Sequence, residues 1–160
     1  MSKFLNVPVI GIDVSSDFSF VAILDPHGSV YRIPFKIQHS LEGFLFLKDS
    51  LKKVEEEFSI KSAIFMESTC IYHLTLFHFL QNSGFDVFVI NPLVTYSSKS
   101  KDIRKVKSDK VDALNIAKIA KFENIKLSSP FELSIFALKS LCRDYYILTD
   151  TRVKYKNKLS

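Results

Sequence analysis

The sequence of 160 residues has no tryptophan, only two cysteines and no apolar run near the ~20 residues that span a bilayer. Nothing at its start has the pattern of a secretory signal, so a cytoplasm is the expected compartment and no membrane partner is expected. Cys70 and Cys142 lie far apart and lack metal-ligand spacing, which reads as reduced thiols rather than a disulfide or zinc framework. The histidines at 27, 39, 73 and 78 show no ligand spacing either, and His73 and His78 read as helix-face residues. There is no internal repeat and no low-complexity tract. What is present is apolar: 47% hydrophobic and 13% aromatic, enough for a chain of this length to build a core.

Charge is unevenly placed. Residues 1–95 hold 7 Lys/Arg against 10 Asp/Glu, whereas residues 96–126 hold 9 against 4. The basic character therefore lies in the last 65 residues. That asymmetry suggests a polyanionic partner, nucleic acid being the commonest, unless the lysines only solvate exposed helices.

The hydrophobic pattern predicts strands at 7–14, 18–24 and 30–37, joined by the turns "SSD" and "DPHG". Pro34 marks the third as an edge or bulge. Helical spacing follows at 41–57 through Leu41, Phe44, Leu45, Leu47, Leu51 and Val54. Then come a strand at 62–67, a helix at 72–84 closed by Gly84, and a strand at 86–91. A three-strand antiparallel meander followed by alternating helices and strands implies an α/β mixed sheet with parallel later strands. After the break at "SP" (129–130), residues 138, 141, 145, 148, 152, 155 and 159 repeat at three and four, a heptad seam interrupted by Arg152. Two parts are expected, a domain at 1–128 and the start of a coiled-coil helix at 129–160. With no cap before Ser160, the chain is expected to be part of a longer protein.

Four carboxylates stand out. Asp13 shares a face with Val9 and Gly11 inside an apolar strand, unless that strand ends early and Asp13 opens the turn. Glu67 ends a strand, where α/β sheets keep their sites and where a solvated glutamate is also ordinary. In "KSDKVDALNIAKIAK", Asp109 and Asp112 lead a helical face continued by Ala113, Ile116, Ala117 and Ala120. Asp109 as N-cap with Asp112 in the first turn would resemble a capping box. As a set, however, the four can converge. Oxygen-only donors suit Mg²⁺ or Mn²⁺, and two such ions can hold both oxygens of a phosphodiester exchange. The residues thus read as a metal-dependent nucleic-acid enzyme of RNase H-like architecture.

"GIDVSSDFSFVAILD", "MESTCIYH", "NP" and "KSDKVDALNIAKIAK" stand in the order and spacing of the DEDD transposases of bacterial insertion sequences, which this chain resembles over nearly its whole length. The family is similar to the pilin-gene invertase Piv, with a RuvC-like N-terminal domain. The resemblance implies that Asp13, Glu67, Asp109 and Asp112 are the catalytic, Mg²⁺-binding tetrad of a DNA recombinase. It further implies a coiled coil and a serine-bearing second domain, and a complete recombinase guided by a structured RNA. Charge adds Lys99, Lys101, Arg104, Lys105, Lys107 and Lys110 as expected phosphate contacts, and the heptad adds homo-oligomerisation. Ser16, Cys70 and Ser108 replace the family's usual Lys, Gly and Thr. Two other readings are a stand-alone junction-resolving nuclease and an actin- or sugar-kinase-like ATP-binding domain. The latter wants a glycine in a phosphate loop, and "VSSDFS" has none.

Overall fold

The computed structural model describes residues 2–67, 72–92, 108–125, 127 and 130–158, without the side chains of 130–137 and 139. Two compact units are present, Met1–Leu127 and Ser128–Ser160.

The first unit is built on a five-stranded sheet of β1 (Val9–Val14), β2 (Phe18–Leu24), β3 (Val30–Gln38), β4 (Ala63–Glu67) and β5 (Asp86–Ile90). Its order is β3-β2-β1-β4-β5. The first three strands pair antiparallel, and β4 and β5 join parallel. This is the mixed sheet the pattern predicts, with the Pro34 strand at the edge. Strand β1 sits in the middle and is apolar apart from Asp13 because both its faces are covered. Val9, Ile10 and Ile12 have no exposure.

Helices α1 (Leu41–Phe58) and α2 (Tyr72–Asn82) are the crossover connections. Ser40 caps α1 by accepting from the Gly43 amide at 3.1 Å. Phe44, Leu47, Leu51 and Val54 form its buried stripe, whereas Leu41 and Leu45, placed in the same stripe by spacing, face solvent. They lie outside the arc that one sheet face can cover. Helix α2 stops at Asn82, two residues short of the sequence expectation, and Gly84 takes a left-handed φ of 90° in the turn beyond. His73 is buried on α2, while His78 is exposed.

Helix α3 (Asp109–Phe122) lies across β1 and β2. Ile116, Ala117 and Ala120 join Val9, Leu24, Ala63, Phe65 and Ile90 in one buried cluster. Small side chains let the helix approach closely, and β1 meets it with a glycine. A Cβ on Gly11 would collide with the Ala113 carbonyl oxygen and fall 2.5 Å from the Ala117 amide nitrogen.

The C-terminal end of α3 is tied to the chain start. Ser2 Oγ donates to the Ala120 carbonyl at 2.8 Å, and the Lys121 ammonium donates to the Leu5 and Val7 carbonyls at 2.9 Å each. Phe4 packs edge-on against Phe65 at 4.8 Å.

In the second unit, α4 (Pro130–Lys158) is one continuous helix of 29 residues. Pro130 is its first residue, where the missing amide costs nothing, so "SP" starts the helix. Leu138, Leu141, Tyr145, Leu148 and Tyr155 of the heptad seam are all exposed. No described helix is long and apolar enough to cross a membrane.

Candidate metal centre

The strand register decides where the four carboxylates fall. Asp13 is inside β1 and pairs with Phe20 of β2, so the strand continues through it to Val14 and the turn opens at Ser15. In the parallel β1/β4 ladder Gly11 pairs with Phe65 and Ile12 with Met66, which sets Asp13 level with Glu67. Adjacent strands are ~4.8 Å apart, and alternation puts both acids on the face of Gly11 and Phe65, the one α3 covers. Glu67 is buried at 8% exposure, and Asp13 is half-buried.

Helix α3 runs opposite to β1. Ala120 and Lys121 reach the segment before β1, and Ala113 and Ala117 cross Gly11. From Gly11 to Asp13 is ~6.6 Å along the strand. From Ala113 back to Asp109 is ~6 Å along the helix axis. The N-terminal turn of α3 therefore arrives at the strand end that carries Asp13 and Glu67. Asp112 is half-buried there, and Asp109 and Lys110 are exposed.

Ser108 is the N-cap of α3. Its backbone is extended, and its hydroxyl accepts from the Val111 amide at 3.4 Å. This corrects the capping-box expectation: Asp109 is the first helical residue, and the cap function belongs to its neighbour. Both aspartates still gain from the helix dipole. Ser108→Ala is expected to lower stability by about 1 kcal/mol, the usual value of such a cap, measurable by urea unfolding.

Among the described residues, no group of three or more His, Cys, Asp or Glu side chains is gathered as a metal-holding cluster. The strand register and the direction of α3 bring the backbone positions of the four acids to the same end of the sheet. Of the basic residues, Lys110 is exposed on α3 next to Asp109 in sequence, whereas Lys99, Lys101, Arg104, Lys105 and Lys107 lie outside the described residues.

A family model for transposases of the DEDD, IS110 type matches residues 10–160. The chain belongs to that family. Among solved structures, Thermus thermophilus RuvC in complex with a Holliday junction substrate aligns at a TM-score of 0.51 and 13% identity, over 76% of this chain and 99% of that one. A further T. thermophilus RuvC structure aligns at 0.51 and 14%, over 76% and 100%. A Ppx/GppA-family protein from Aquifex aeolicus reaches 0.32 at 16% identity, over 58% of this chain and 40% of that one. No curated protein matches the sequence. The transposase thus has a RuvC-like, RNase H-type α/β fold. The match covers the "GIDVSS" strand, Glu67 and the Asp pair in one family model.

Two residues that seat α3, Gly11 beneath it and Lys121 at its far end from the acids, are missed by the sequence pattern. Gly11 had a signal, since a lone glycine inside a strand marks a close backbone approach. Lys121 had none, because a lysine in the last turn of a helix ordinarily reads as solvated.

Proposed function

We propose that this transposase domain binds Mg²⁺ or Mn²⁺ through Asp13, Glu67, Asp109 and Asp112 and cuts and rejoins DNA there. The observation that carries the reading is the antiparallel seat of α3 on Gly11, which delivers the Asp pair to the end of β1 and β4. The donor set is all oxygen and so fits a hard divalent cation. Such an ion would supply Lewis-acid stabilisation of the phosphoryl oxygens. The protein's own part is to hold two acids on rigid strands and two on the first turn of a capped helix, with Lys110 beside them for the DNA backbone. By charge, Lys99, Lys101, Arg104, Lys105 and Lys107 are further phosphate contacts in this reading. The family's pattern adds guidance by a structured RNA, a serine-bearing second domain, and self-association through the exposed heptad face of α4. The division at 1–128 and 129–160 and a cytoplasmic setting belong to the same reading.

Calorimetric titration of Mn²⁺ tests it. Wild type is expected to give saturable heat, and Asp13→Asn none, with an unchanged circular-dichroism spectrum. The apo variant should melt no lower than wild type, because one of several clustered negative charges is gone. Equal weak heats in both proteins would make Asp13 structural and remove the metal assignment. Heat from ATP would instead favour the kinase-like reading.

The RuvC-like fold, aligned over 76% of this chain and 99% of RuvC, also favours a second reading, a nuclease that resolves junctions unaided. Cleavage of a four-way junction by this chain alone would select it over a recombinase that needs further parts.

A further inference from the structure

The row of residues through Asp13 continues across the sheet in a way the acidic site does not use. Asp13 pairs with Phe20, and Phe20 pairs with Lys36 on the edge strand. Directly opposed residues share a face, with Cβ atoms ~5 Å apart. One step further out, Phe18 pairs with Gln38 on that same face. The α3 side of β2 and β3 therefore carries two phenylalanines and a lysine next to the carboxylates.

Neither ring is buried in the core, since Phe18 and Phe20 are both half-exposed and Lys36 is exposed. The rings meet edge to face at 5.9 Å. The Lys36 ammonium stands 3.8 Å from the centroid of Phe18. Were these side chains only closing the rim of the core, aliphatic residues would do as well. The ammonium thus covers one face of Phe18 and sets a positive charge beside two partly exposed rings, a pairing suited to a base that stacks while its phosphate meets the lysine.

We propose that Phe18 and Phe20 form a stacking platform, with Lys36 as its phosphate contact, for unpaired DNA bases flanking the phosphodiester at the carboxylate end. The platform deepens the metal-dependent reading above, whose substrate would be DNA with an unpaired segment. In a duplex the base faces are stacked on one another, so only a strand opened near the site can use exposed rings. Phe20 is one strand away from Asp13, so a base on it would belong to a nucleotide close to the cut. Lys36, a strand beyond, would hold the backbone as it leaves over the sheet edge.

The test compares binding of a labelled oligodeoxythymidylate and a duplex of equal length by fluorescence anisotropy, in Mg²⁺ buffer. Phe18→Leu and Phe20→Leu keep apolar bulk and so preserve the fold. Each is expected to weaken single-strand binding about tenfold, the scale of one lost base–aromatic stack, with duplex binding unchanged. Lys36→Gln should weaken both ligands and reduce the salt dependence by about one phosphate contact. Single-strand affinity unchanged in the Phe variants, or an equal fall for duplex, overturns the platform. Tighter binding of oligouridylate with the same losses overturns its assignment to DNA in favour of RNA. Manganese titration of the same variants separates the two readings. Selective loss of single-strand binding without Mn²⁺ heat in wild type keeps the platform and removes the metal centre; Mn²⁺ heat without that loss does the reverse.

Discussion

Gly11→Ala is expected to destabilise the domain by about 3 kcal/mol, the upper end of ordinary overpacking costs. At most sites of compatible backbone the same change gains ~0.4–1 kcal/mol by stiffening the unfolded chain. Here that gain is outweighed. The new methyl would collide with the Ala113 carbonyl and sit 2.5 Å from the Ala117 amide nitrogen and 2.9 Å from the Ala117 methyl. Two of those three obstacles are helix backbone, which cannot rotate aside, so α3 as a whole must lift from β1. Because Asp109 and Asp112 ride on that helix, the proposed metal site predicts that manganese affinity falls with stability, although none of its proposed ligands has been touched. Urea unfolding and Mn²⁺ calorimetry on one sample measure both effects. A variant with a wild-type midpoint would show that α3 does not seat on β1 as closely as this geometry requires.

Lys121→Met is expected to cost about 2 kcal/mol, on the scale of one or two buried carbonyls losing their donor. Lys121 has no exposure, and its ammonium reaches the Leu5 and Val7 carbonyls at 2.9 Å and that of Phe4 at 3.5 Å. Methionine keeps the apolar stem and removes only these bonds. Burial lowers the Lys121 pKa from 10.5, against an opposing pull from Asp25. The unfolded chain therefore holds this proton more tightly than the folded one. The stability this group contributes is complete above about 10.5 and is lost as pH falls through the folded value. The gap between wild type and Lys121→Met should accordingly widen as pH rises toward 10.5. A gap that narrows would mean that the three carbonyls, which favour the charged form, outweigh burial.

Much of this molecule is legible in its sequence. The apolar run of β1 up to Asp13, the "SSD" and "DPHG" turns and the Phe44–Leu47–Leu51–Val54 spacing are local signals, and the strands and helices stand within two residues of them. The alternation of faces already placed Asp13 with Gly11, because a strand has a fixed period of two. The family's motif order identified the chain with transposases for the same reason: it is a property of the string.

Local pattern could not choose among roles that one residue type can serve. Asp109 had the sequence context of a cap, and only the built helix showed Ser108 taking that place. Leu41 and Leu45 had core spacing, but a helix packed on one sheet face has a limited arc to bury. The level of Asp13 against Glu67, the reversal of α3 on Gly11 and the Phe20–Lys36 row are contacts between distant segments, set by strand register and helix direction. The sequence by itself determined the elements and the acids they carry. Tertiary structure alone decided that those acids share one end of the sheet, because convergence depends on how strands align and which way a helix crosses them.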